Sequence, residues 1–328
     1  MKKVNWGVIG TAGIAKGQTI PGMQLAQNCN LYAIAGRSMD KANSYKEEFG
    51  FQVAYDNYDA LLADPNVEAV YIPHPNELHY EWTLKALQAK KHVLCEKPLA
   101  PTPEKIQQMF ACAKENGVLL MEAFAYLHSP LMAAIKNEIQ SGVIGDVLYL
   151  ESQFITSDYD ISNIRMRKET FGGATYDLGC YTTSQILWLL DEDPVKVQAV
   201  ADFSQEGIDT YTSGVLTFED GKKATFICAM VLATDQDRRI DCLRIHGTLG
   251  DIYCGAQFNQ AGELAYILTL GGNSVVKTVS TPHNYSLEVE QLGRCILNGE
   301  EPHVSEVFTL RNARLLETIL AVIGYGKL

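Results

Sequence analysis

The sequence predicts an α/β protein of two domains: an N-terminal doubly wound parallel sheet over residues 1–123, then a C-terminal α+β domain over residues 124–328 with a mostly antiparallel open sheet. Three observations predict it. The 328 residues correspond to roughly two domains of about 150 residues. Up to residue 123, short apolar runs alternate with helix-like segments, as in right-handed β-α-β crossovers. Beyond residue 124 most runs are strand-like and punctuated by glycine and charge, as between hairpin strands.

In the first part, VNWGVIG from residue 4 reads as a strand ending in glycine, and the stretch from Ala15 to Asn28 as a weak helix with Pro21 early in it. LYAIAG from residue 31 is a second strand, followed by the charged helix MDKANSYKEEFG closed by Gly50. VEAVYIP from 67, KHVLCE from 91 and VLLMEAF from 118 are three further strands, with helices from 78 and from 103 between them. In the second part, residues 124–142 read as a helix, 146–157 as a long strand and 175–190 as a second helix. Strand-like runs follow from 195, 212, 223, 242, 250 and 264, and two helices, from 284 and from 305, close the chain.

Composition excludes several classes. Lys plus Arg is 27 and Asp plus Glu is 39, a net charge of −12, so neither a nucleic-acid backbone nor an anionic membrane is an expected partner. No run of about 18 apolar residues is present to span a membrane. Lys2 and Lys3 before an apolar stretch resemble an export leader, but Gly7, Gly10 and Gly13 interrupt it. The eight cysteines show no CxxC spacing, so reduced, buried thiols in a cytoplasmic protein are expected rather than a disulfide framework. The histidines lack metal-ligand spacing, and no metal is expected.

GVIGTAGIA (residues 7–15) lies where a strand ends and a helix begins. A dinucleotide-binding turn needs glycine at the tight turn and small residues where backbone meets pyrophosphate and where helix packs on strand. Gly10, Ala12 and Ala15 take those places, and Gly10, Thr11, Ala12, Gly13 and Ile14 form the expected phosphate loop. An acidic residue ending the second strand would select NAD. Here that strand ends in IAGRS, and Arg37, Ser38 and Lys41 offer donors suited to a 2′-phosphate. NADP is therefore the expected cofactor, with NAD the alternative. Strand four ends in Glu96-Lys97-Pro98. Proline holds Lys97 extended at the sheet edge where ligands bind. Farther along, Asp177 and Tyr181 are four residues apart and share a helical face.

With these segments in view, the chain resembles the glucose–fructose oxidoreductase / inositol dehydrogenase / rhizopine-catabolism (Gfo/Idh/MocA) family. The resemblance rests on residues 7–15, on 69–100 ending in EKP, on MEAFAY from 121, on VIGDV from 143 and on GGATYDLGCY from 172. It implies an N-terminal Rossmann domain, a C-terminal domain whose sheet mediates oligomerisation (a homodimer or homotetramer), and hydride transfer between a nicotinamide and a sugar, polyol or diol. It further implies that Lys97 reaches substrate and nicotinamide ribose, that Pro73, His74, Asn76, His79 and Glu96 line the cofactor, and that Glu122 lies near its pocket, although a surface carboxylate fits that position equally. Tyr181 stands where many relatives carry histidine, as in the branch of glucose–fructose oxidoreductase, dimeric dihydrodiol dehydrogenase and xylose dehydrogenases.

The chemistry expected is acid–base catalysis by Tyr181. Its phenol, with a reference pKa of about 10, is favoured as phenolate by the Lys97 ammonium, while Asp177 and Arg165 position a substrate hydroxyl. The two groups come from separate predicted domains and must converge on one substrate. Asp158, Tyr159 and Asp160 add expected hydroxyl recognition, whereas Arg165, Arg167 and Lys168 fit an acidic sugar. The alternative function is a non-catalytic NADP-binding regulator of the same fold.

Overall fold

The protein is described by a computed structural model over residues 2–157, 160, 162–232 and 238–326. The first compact unit comprises residues 1–128 and 282–310. Along the chain it contains β1 (Val4–Ile9), α1 (Ile20–Leu25), β2 (Cys29–Ala35), α2 (Met39–Phe49), β3 (Val53–Tyr55), α3 (Tyr58–Ala63), β4 (Ala69–Ile72), α4 (Asn76–Gln88), β5 (His92–Glu96), α5 (Pro103–Asn116) and β6 (Leu120–Ala123). The six strands form one parallel sheet in the order β3-β2-β1-β4-β5-β6, the doubly wound arrangement. Every residue of β4 and of β6 is buried, as expected of strands covered on both faces. Its helices begin and end on local signals. Ser38 caps α2 and Thr102 caps α5 through their side-chain oxygens, while Gly50 and Gly117 close the same helices in the left-handed conformation.

The second unit comprises residues 129–281 and 311–328. It contains α6 (Pro130–Gln140), β7 (Val147–Thr156), α7 (Cys180–Leu190), β8 (Lys196–Phe203), β9 (Asp209–Thr217), β10 (Lys223–Ala229), β11 (Arg239–Gly247), β12 (Gly250–Cys254), β13 (Gly262–Leu270) and β14 (Asn273–Thr281). Its eight-stranded sheet runs β14-β13-β12-β11-β7-β10-β9-β8 and is antiparallel except for the β7–β10 pair. Ala224, Phe226 and Cys228 of β10 and Leu150 of β7 are buried on the face that α7 covers. The opposite face leaves Val200, Ile240, Tyr253 and Val276 exposed.

Helix α8 (Asn284–Asn298) differs from the sequence division at residue 123, which assigns it to the second domain. It packs in the first unit against α1, β1, β2 and β5. A Cβ on Gly22 would lie 2.8 Å from the Tyr285 backbone, and Asn28 donates to the Glu290 carbonyl at 2.8 Å. Helix α9 (Glu306–Ile323) starts in the first unit and ends in the second.

The helix expected over 15–28 is a π-turn, Ala15–Thr19, running into α1. Pro21 has no N–H to continue the regular ladder. The helix expected from 124 is a 3₁₀ turn, Ala125–His128, followed by α6. Pro130 keeps Ser129 extended at ψ 131° and so interrupts it.

Candidate active site

In the first unit, the carboxyl ends of β1, β4 and β5 carry the residues singled out by sequence. β1 ends at Ile9, and Gly10 adopts φ +120°, a conformation open to glycine. A Cβ at Gly10 would also stand 3.3 Å from His74 Nε2, so the glycine lets the loops after β1 and β4 meet. Tyr45 Oη donates to the Thr11 carbonyl at 3.2 Å and steadies the turn. The helical turn that follows has no side-chain cap, which leaves its first N–H groups to an outside acceptor. Ala12 and Ile14 are half-buried and Gly13 is exposed, with nothing within 4 Å of an added Cβ.

Neither ring nitrogen of His74 has a hydrogen-bond partner among the described residues, although both are buried. The ring packs on Tyr58 and Trp82 at centroid distances of 4.9 and 5.9 Å. Burial, with lesser contributions from His79 and Arg37, lowers its pKa to about 4, so it is neutral at pH 7. Unpartnered nitrogens beside a positive-φ glycine and an uncapped helical turn fit a dinucleotide. Arg37, Ser38 and Lys41 are exposed just past β2. Ser38 Oγ accepts from the Lys41 N–H at 3.4 Å and keeps its own proton to donate.

Pro73 is buried and Asn76 opens α4, half-buried. His79 is fully buried. Its Nδ1 lies 2.8 Å from the Pro98 carbonyl and its Nε2 2.7 Å from the His74 carbonyl. It therefore braces two loops rather than lining a ligand surface. Burial lowers its pKa against the pull of those carbonyls.

Glu96 ends β5. Its Oε1 accepts from Tyr71 Oη at 2.5 Å, and Tyr71 Oη accepts from Thr19 Oγ1 at 2.9 Å, a chain of hydrogen bonds from the phosphate-loop helix to the EKP segment. The Lys97–Pro98 peptide is cis. Immediately after it, the Leu99 N–H donates to Glu122 Oε1 at 2.8 Å. Glu122, open in the sequence between pocket and surface, is buried. Burial raises its pKa to about 7, opposed by the Leu99 N–H, the Thr309 hydroxyl and the charge of Lys97.

In the second unit, a π-turn (Thr175–Gly179) leads directly into α7, so Asp177 and Tyr181 follow one continuous helical path. Gly179 lets it approach β10: a Cβ there would lie 3.2 Å from Cys228 Sγ. Asp177 Oδ2 accepts from Arg165 Nε at 2.7 Å. These two residues, read from sequence as separate substrate contacts, are thus paired with each other. Asp160 Oδ1 is engaged by the Ser162 N–H and hydroxyl; Asp158 and Tyr159 lie outside the described residues. Arg167 and Lys168 adjoin the same segment, where Arg167 Nη2 donates to the Ser162 carbonyl at 3.4 Å.

Tyr181 is nearly buried. Its ring meets Phe154 edge-on at 5.4 Å and Phe258 at 5.2 Å, and these two phenylalanines stack at 5.1 Å. Asn259 Nδ2 donates to Tyr181 Oη at 3.5 Å. The loop carrying Phe258 and Asn259 is fixed from below. Arg239 grips Asp241 with two hydrogen bonds of 2.7 Å, Asp241 Oδ2 accepts from the Phe258 N–H at 2.6 Å, and the Arg239 guanidinium lies 4.3 Å from the Phe154 ring centroid. Sequence reading missed this wall. Its residues come from the end of β7 and the β12–β13 connection, and no motif spacing links them to Tyr181. Among the described residues, no group of three or more His, Cys, Asp or Glu side chains is arranged to hold a metal ion.

The profile of the oxidoreductase family GFO_IDH_MocA, NAD-binding Rossmann fold, matches residues 4–124, and that of the GFO/IDH/MocA C-terminal domain matches residues 132–253. The chain belongs to this family. Its relatives include D-xylose 1-dehydrogenase (NADP(+)) 2 of Haloferax volcanii, 33% identical over 96% of this chain and 95% of that one. A trans-1,2-dihydrobenzene-1,2-diol dehydrogenase of Xenopus laevis is 27% identical over 96% of this chain and 95% of that one. The crystal structure of KijD10, a 3-ketoreductase from Actinomadura kijaniata with NADP and TDP-benzene, superposes with a TM-score of 0.90 at 27% identity, covering 98% of each chain. The family assignment makes the chain an oxidoreductase with a nicotinamide-dinucleotide fold. No helix among the described residues is long and apolar enough to cross a membrane.

Proposed function

We propose that this protein is an NADP-dependent dehydrogenase or reductase acting on a CH–OH group of a sugar, polyol or vicinal diol. The observation that carries the reading is Tyr181, an ionisable phenol walled by Phe154 and Phe258 and set one turn beyond Asp177. Loop residues 10–14, with Pro73, His74, Asn76, Glu96 and Lys97, hold the dinucleotide, and Arg37, Ser38 and Lys41 meet its 2′-phosphate. The nicotinamide, when bound, accepts or donates the hydride.

The chain's own residues move the proton. Tyr181 takes the hydroxyl proton as the carbon is oxidised and returns it on reduction. The Lys97 ammonium favours phenolate and offsets charge on the substrate oxygen. Asp177 accepts from a neighbouring substrate hydroxyl, with Arg165 orienting the carboxylate. The relatives named above for xylose and for a diol support this substrate class.

The test is a screen of aldoses, polyols, vicinal diols and sugar acids with NADP⁺ and NAD⁺, followed by nicotinamide absorbance. Turnover of at least one member, faster with NADP⁺, is expected. Cofactor binding with no turnover of any of them overturns the reading in favour of a cofactor-sensing protein. The exposed apolar residues Val200, Ile240, Tyr253 and Val276 on the open sheet face support assembly into a homodimer or homotetramer that covers them. Light scattering that reports a monomer at micromolar concentration rejects that assembly.

A further inference from the structure

We propose that Asp209 is a positioning residue for the helix that bears Asp177 and Tyr181, holding its first turn at the angle that aims the phenol. This rests on the functional reading above. Asp209 opens β9 and is fully buried. A single oxygen, Oδ2, accepts from the Thr175 N–H at 2.7 Å, from Thr175 Oγ1 at 2.7 Å and from Thr212 Oγ1 at 2.9 Å. Thr175 is the first residue of the turn that contains Asp177 and leads to Tyr181. A helix begins with N–H groups that lack intrahelical acceptors, and a carboxylate there satisfies both them and the helix dipole. The cap comes from a strand remote in sequence.

The other oxygen, Oδ1, meets no donor from another residue among those described. It presses on Gly173, where φ is +114° and a Cβ would stand 2.0 Å from it. The glycine of the GGATYDLGCY segment is thereby explained as the space Asp209 occupies. Gly172 is fixed in turn, because Tyr325 Oη donates to its carbonyl at 2.7 Å.

The groups facing Asp209 are the hydroxyls of Thr175 and Thr212, the phenols of Tyr176 and Tyr325 and the thiol of Cys228; Glu317 bears on Tyr176. None of these is a cation. Burial raises the Asp209 pKa to about 6, against its three donors. A carboxyl protonated more readily in the folded state than in the unfolded state lowers stability as pH rises through the window from about 3.9 to about 6, and the cost persists above it. The ionised side chain is therefore an expensive way merely to hold the fold, and a cap that aims a catalytic helix accounts for keeping it.

The experiment uses the full-length protein with Asp209→Asn and Asp209→Ala. Positioning predicts that kcat falls about tenfold to a hundredfold, as small misplacements of a reacting group do, with KM for NADP⁺ unchanged. It predicts an unchanged or raised Tm for Asp209→Asn at pH 7, and loss of the acid limb near pH 6 from the kcat profile. Amide exchange at Thr175, measured by mass spectrometry without substrate, is expected to quicken in Asp209→Ala. That readout stands even if the substrate screen finds nothing, so the two failures are distinguishable. Wild-type exchange, or a fall in kcat matched by an equal loss of Tm in Asp209→Asn, overturns the proposal.

Discussion

The loop after Lys97 and the helix before Tyr181 are each held by one buried carboxyl group, but by different means. Glu122 meets the Leu99 N–H and is influenced by the Thr309 hydroxyl and the charge of Lys97. Asp209 gathers an N–H and two hydroxyls on one oxygen, with no cation among the described groups that face it. Burial raises both, to about 7 and about 6 respectively. Measured from the ordinary values of the two side chains the rises are of similar size, so burial outweighs the surrounding donors and charges in both places. Both proposed catalytic groups thus sit on backbone whose anchorage changes with protonation near neutrality.

The largest effects fall on the two held groups themselves. Lys97→Met and Tyr181→Phe are each expected to lower kcat by about 10²-fold or more, and near-wild-type turnover in either breaks the comparison at its root. A smaller effect, about tenfold in kcat, is expected for Glu122→Gln, which leaves the loop one acceptor but no titration. The sign of its stability effect follows from the raised pKa. Wild type loses stability relative to Glu122→Gln as pH rises from about 4.3 towards 7, so the difference in Tm should grow across that window and then level off. A flat difference would show that Glu122 is not buried as an acid. The smallest effect belongs to the exposed Arg37. Arg37→Ala should weaken NADPH binding roughly tenfold, about 1.4 kcal/mol, and leave NADH unchanged in calorimetric titration.

The parallel sheet was legible because each of its longer strands is a local apolar run. β3 escaped because Val53–Tyr55 is three half-buried residues. β14 escaped because an edge strand exposed along most of its length carries no apolar period. The turn at Gly10 and the helical path joining Asp177 to Tyr181 were readable because turn chemistry and helical spacing are encoded within a few residues, whereas the roles expected of Lys97 and Tyr181 came from the family resemblance. Asp209, Phe258 and Asn259 were not, since each acts across the sheet on a partner far away in sequence. The bracing role of His79 needed the third dimension too: only the fold shows carbonyl oxygens at both ring nitrogens.

The return of residues 282–310 to the first unit makes that unit discontinuous, built from two separate stretches of the chain. A fragment stopping at residue 123 would bare the side of α1 that Tyr285 covers and strand the Asn28 amide without its acceptor on Glu290. Anyone grafting a new nucleotide preference onto this scaffold by exchanging whole halves must therefore splice at three junctions, and the segment most easily forgotten is 282–310, which lies between two stretches of the second unit.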